Sequence, residues 1–182
     1  MMIEISHNLT DTTDPTHEEI LSKEELIRRT EQMRASFTTL IDKHGFAVMG
    51  VTEASAYTIG LAKKSLPDLV VTLPIPHNAS AEIMKAVWTK WTNHGYALTP
   101  LTVEFGELSL NLQLRPLARS KALLEQLVVQ AELFYEAYPA YHNNRAPLPD
   151  YVQIVLPDQD GNFPTEAQYN SEEFPQVVYD LA

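Results

Sequence analysis

The sequence predicts an α+β fold: a single domain with a mainly antiparallel sheet and about three helices packed on it. Three observations point there. Apolar residues recur at helical spacing in three stretches. Short strand-type runs separate them, and two pairs of these runs read as hairpins, about 53–56 and about Gly106. The chain has 182 residues, 45 % of them apolar, which suits one core of ordinary size.

Residues 1–20 are polar and lack periodicity, so they read as an extended N-terminal arm. Ser22 and Glu25 form a capping box: the Ser22 hydroxyl accepts an amide hydrogen bond and Glu25 reaches back. Leu26, Thr30, Met33, Phe37, Leu40 and Ile41 then fall on one helical face. Gly45 ends that helix in the left-handed conformation that favours glycine. Phe46–Thr52 and Tyr57–Leu61 are expected strands, with 53–56 as their turn. Leu69–Leu73 is a third strand, stopped by Pro74 and Pro76, which lack the donor a ladder needs.

A second helix is expected over Ser80–Asn93, with Ile83, Met84, Val87, Trp88 and Trp91 on one face. His94-Gly95-Tyr96-Ala97 closes it and echoes His44-Gly45-Phe46-Ala47, which reads as shared helix-end chemistry. Leu101–Phe105 and Leu108–Leu114 alternate apolar and polar residues, as a half-buried antiparallel hairpin does. The third helix starts at Ser120 and presents Leu123, Leu124, Leu127, Val128, Ala131, Phe134 and Tyr135. A proline-rich loop from Pro139 to Asp150 leads to the last strand, Tyr151–Leu156. The domain is expected over 21–170, and 171–182 is an acidic C-terminal tail.

Net charge is −11 and unevenly placed. Residues 1–25 hold seven acids against one base and residues 150–182 seven acids and no base, whereas 26–149 carries a net +2. That argues against nucleic acid and anionic membranes, which need a basic footprint. No apolar run reaches the ~18 residues of a membrane span, and the N-terminus has no signal-peptide pattern, so the cytoplasm is expected. There is no cysteine, so thiolate chemistry and disulfides are excluded.

Polar candidates stand out on this apolar scaffold. His44 is a possible general base, since histidine titrates near neutrality, although a histidine at a helix end also serves the last carbonyls. Tyr57 and Thr58 are neighbours in a strand and point to opposite faces, one to the core and the other to a cleft. Gly60, Asp68 and Gln153 complete the candidate binding set. Asp158 and Asp160 flank a turn before Gly161. A calcium loop of the EF-hand kind is ruled out by register, since Phe163 and Tyr169 fall where glycine and glutamate are required. They read instead as turn formers. No metal or cofactor is expected: histidine–carboxylate ligand spacing and glycine-rich phosphate loops are both missing.

Three segments together resemble an uncharacterised bacterial family, the domain-of-unknown-function family 4262. They are His44-Gly45-Phe46; Tyr57-Thr58-Ile59-Gly60-Leu61 followed by Pro67-Asp68-Leu69; and Gln153 to Pro157-Asp158, then Gly161 and Phe163-Pro164. The resemblance covers about residues 40 to 170. Leu156 stands where the family often has tryptophan, and Thr165 where it often has an aromatic. The resemblance implies a fold and a shared surface, and it brings no reaction with it.

The expected function is a non-catalytic binding or interaction domain, engaging a protein partner or a second copy. The alternative is a small hydrolase using His44 with Asp158 or Asp160 and Tyr57. A weaker one is nucleotide or flavin binding near Tyr57–Lys64.

Overall fold

The computed structural model describes residues 23–106, 108–120, 123–136 and 150–179. The N-terminal arm, Ser22 of the capping box, and most of the proline-rich loop lie outside the described residues. The elements run α1 (Lys23–His44), β1 (Ala47–Thr52), β2 (Ser55–Ile59), β3 (Asp68–Val71), α2 (His77–His94), β4 (Leu101–Phe105), β5 (Leu108–Leu117), α3 (Val129–Glu136) and β6 (Tyr151–Val155). This is the expected α+β domain, and its six strands form one sheet in the order β1-β2-β3-β6-β5-β4. Every neighbouring pair is antiparallel except β3 and β6, which run parallel at the centre.

Side chains alternate across the strands, so the sheet has two apolar faces. One packs on α2: Ala56, Leu69, Val71, Val152 and Ile154 meet Ile83, Met84, Val87 and Trp91. The other packs on α1 and α3: Tyr57, Ile59, Val70 and Tyr151 meet Phe37, Ile41, Ala131, Phe134 and Tyr135. β5 is long because it serves two partners. Leu108–Leu112 pairs with β4, and Gln113–Leu117 pairs with β6. Pro116 is tolerated there because β4 ends its pairing at Leu112 and leaves that stretch with an open edge.

Several boundaries differ from expectation. β2 begins at Ser55, two residues early, because Glu53 and Ala54 alone suffice for the turn. α2 begins at His77: the Pro76 carbonyl accepts the amides of Ala79 and Ser80, so the first turn forms ahead of the apolar stripe. The third helix is not continuous. A π-helical turn, Leu123–Leu127, precedes α3, and the Val128 amide bonds the Leu123 carbonyl. The wider turn brings Leu123, Leu127 and Val128 onto the same buried side as Ala131, Phe134 and Tyr135.

The two His-Gly-aromatic ends match in detail. Gly45 and Gly95 have φ of 89° and 91°, and each amide bonds the carbonyl four residues back, on Ile41 and Trp91. Phe46 packs edge-on against Trp88, and Tyr96 does the same against Trp91. The first end runs directly into a strand. The second passes through an exposed stretch, 95–100, before β4.

Candidate functional site

Thr58, Gly60 and Asp68 come together at one place on the sheet, with Tyr57 beside them, and Gln153 lies at a second. The first is the turn between β2 and β3. Asp68 is fully buried there. Its carboxylate accepts hydrogen bonds from the Thr58 hydroxyl at 2.8 Å, the Leu61 amide at 3.2 Å and the Tyr135 hydroxyl. The Thr58 oxygen in turn accepts the Leu69 amide at 2.8 Å, and the Tyr135 oxygen accepts the Gly60 amide at 2.6 Å. Gly60 sits at φ 112°, and a Cβ there would lie 2.6 Å from Ile41, so helix α1 requires a glycine at this turn. A short 3-10 turn, Leu61–Lys64, follows. Among the described residues, no cation is a hydrogen-bond partner of Asp68. Burial pushes its carboxyl up to about 7, against the pull of the Tyr135, Thr58, Leu61 and Gly60 donors.

Tyr57 lies beside this knot. Its hydroxyl accepts the Gln130 amide at 3.2 Å, near the start of α3, and burial raises its pKa well above the ordinary value. Tyr57 and Thr58 are both buried, so neither lines a cleft. The apolar layer around them extends to Tyr151, whose hydroxyl donates to Glu132 at 2.5 Å. Arg119 pairs with the same Glu132 at 2.5 Å.

The second place is the end of the sheet where β3 stops beside β6. Gln153, also fully buried, directs its amide nitrogen to the Thr72 hydroxyl at 2.7 Å and to the Val177 carbonyl at 2.6 Å. Its oxygen accepts the Tyr179 amide at 3.1 Å. The Thr72 hydroxyl donates to the same Val177 carbonyl. Gln176 does the reverse: its carboxamide accepts the Leu156 amide at 3.1 Å and donates to the Ile154 carbonyl at 3.2 Å. Two glutamines thus each bridge the backbone of the other's segment.

Asp158 is buried and organises the turn after β6. It accepts the amides of Asp160 at 3.0 Å, Asn162 at 2.8 Å and Asn170 at 3.0 Å. Burial pulls its pKa upward, but the donors from Asn170, Asn162 and Asp160 outweigh that and hold it below the ordinary carboxylate value. Asp160 is exposed. His44 is exposed in the last turn of α1. Among the described residues no hydrogen bond joins His44 to Asp158, Asp160 or Tyr57. No group of three metal-ligating side chains occurs among them either.

Two open concavities lie elsewhere. One, about 350 Å³, runs between α2 and β4 past Lys85, Lys90, Val103 and Phe105. The other, about 450 Å³, lies at the open edge of β5, between Leu98, Pro100, Arg115 and Thr165. Neither contains a predicted site residue. Among the departures from the family pattern, Leu156 belongs to the core and Thr165 to the second concavity. Lys63 pairs with Asp42 at 3.4 Å, and Lys64 lies over the Trp88 ring.

Tyr135, Thr72 and Gln176 are partners the sequence did not single out. Tyr135 reads only as one apolar position of a helix, and its hydroxyl meets a carboxylate 67 residues away. Gln176 lies in a stretch without periodicity.

A family model described as a domain of unknown function (DUF4262) matches residues 40–170, more than half of the chain. No curated protein and no solved structure matches it. No helix among the described residues is long and apolar enough to cross a membrane.

Proposed function

The chain belongs to the DUF4262 family, and we propose that it is a non-catalytic binding domain that works in the cytoplasm and engages another polypeptide. One observation carries this reading. Tyr57, Thr58, Asp68, Gln153 and Asp158 are all buried and bonded to groups of their own chain. A general acid or base has to come within hydrogen-bond reach of a substrate proton. These residues instead fix the β2–β3 turn, the C-terminal segment and the turn after β6. The motif segments serve as scaffold, and recognition falls to the surface they support. Exposed Tyr96, Leu98 and Leu108 supply apolar contact area on that surface. The acidic balance of the chain disfavours nucleic acid and anionic membranes as partners.

The test is to assay the full chain against ester, phosphoester and peptide substrates beside a His44→Ala variant. The expected result is no turnover above buffer for either protein. Turnover by the wild type that His44→Ala abolishes would overturn the reading in favour of a hydrolase.

A further inference from the structure

Extending the binding-domain reading above, we propose that the end of the sheet where β3 stops beside β6 is a slot for an extended peptide. In this chain it is filled in cis by the C-terminal segment and can be filled in trans by the same segment of a second copy. The family match ends at residue 170. Residues 176–179 lie beyond it, yet they are held by Gln153, which belongs to the matched region, and by Thr72.

The chemistry of the contact is that of peptide recognition. Gln153 takes the carbonyl of Val177 and the amide of Tyr179, the two backbone groups that an extended chain presents two residues apart. The Val177 side chain stays 57 % exposed, so the slot does not read it. From the other side, Gln176 takes the Ile154 carbonyl and the Leu156 amide of the β6 region, beyond the last β3 pairing at Gln153. β3 ends short of those groups, and an incoming carboxamide continues the ladder in its place. Aromatic side chains fix the register: Phe174 packs against the core on the α2 side of the sheet, and Tyr179 against the core on the α1 side. The slot therefore fits an extended segment that carries an aromatic, a glutamine two residues on and a second aromatic three residues after that. In this chain these are Phe174, Gln176 and Tyr179.

The probe is a fluorescein-labelled peptide with the sequence of residues 172–182, titrated into the full-length protein. The double variant Gln176→Ala/Tyr179→Ala weakens the resident segment and leaves Gln153 and Thr72 untouched. It is expected to bind the peptide at least ten-fold more tightly than the wild type does. A peptide with alanine in place of its glutamine is expected to bind at least ten-fold more weakly. Equal binding by the two proteins, or indifference to the peptide's glutamine, would overturn the proposal.

Hydrogen exchange on the wild type needs no variant. The Tyr179 amide is expected to exchange at least ten-fold faster than the amides of Ile154 and Val155, because the segment leaves while the sheet stays formed. Equal rates would mean that the segment departs only on global unfolding, and would overturn the proposal. A peptide that fails to bind sinks the slot alone. Turnover lost in His44→Ala sinks the binding-domain reading and leaves the slot standing.

Discussion

Asp68 and Asp158 come from two of the three family segments, and both accept at least three hydrogen bonds from their own chain. They nevertheless shift in opposite directions. Asp68 sits between sheet and helices, where burial outweighs its donors and pushes it up to about 7. Asp158 lies in a surface turn, where three backbone amides outweigh burial and hold it down. The number of donors is similar, and the difference is how far water has been removed from the carboxylate. An aspartate that looks functional in sequence can therefore serve as a neutral joint in a core or as an anionic staple in a turn.

The largest expected effect breaks the core joint through its backbone. Gly60→Ala places a Cβ against Ile41 at a φ of 112°. Strain and overpacking together are expected to cost about 4 kcal/mol, read as the shift in urea midpoint.

A pH series separates the two aspartates directly. A carboxyl whose folded pKa is raised is protonated in both states at low pH. Its contribution weakens stability as pH climbs from the unfolded value toward the folded one. For Asp68 that window is about pH 4 to 7, and the loss across it is on the order of 4 kcal/mol. Asp68→Asn is expected to flatten the slope of stability against pH in that window. An unchanged slope would mean that Asp68 reaches water.

Tyr135→Phe removes one donor from Asp68 and the phenol oxygen that accepts the Gly60 amide. The expected loss is about 2 kcal/mol, with little change in expression or secondary structure by circular dichroism. Asp158→Asn gives the smallest effect and the opposite pH signature. A depressed pKa stabilises above the unfolded value and is lost as pH falls through the folded one, so the variant and the wild type converge as the solution is acidified past the ordinary carboxylate range. A melting-temperature difference that grows on acidification would contradict the assignment.

Sequence made one kind of information legible and hid another. The helices, the two hairpins and the turn at Asp158 were readable because each is a local pattern: a 3.6 or 2.0 period, a capping glycine, an Asp-x-Asp-Gly turn. The parallel pairing of β3 with β6 was not, because it joins Asp68 to Tyr151 with no turn between them. The π-helical turn before α3 was missed because one added residue leaves the apolar periodicity looking continuous. Within the candidate site, Tyr57, Thr58, Gly60, Asp68 and Gln153 are legible only as polar or glycine positions on an apolar scaffold, and their partners are not visible. Tyr135, Thr72 and Gln176 meet them only after the chain has folded back. His44 stands out for its residue type alone, and the structure places it on an exposed helix end, whereas Asp158 sits in the turn its local pattern announces.

The comparison rests on the state of the Asp68 carboxyl in the folded protein, and carbon-detected NMR titration of the aspartate carboxyls reads it directly. The expected result is a midpoint near 7 for Asp68 and one below the ordinary carboxylate value for Asp158 in the same sample. An Asp68 midpoint near the ordinary carboxylate value would place that carboxyl in water and contradict its role as a buried joint.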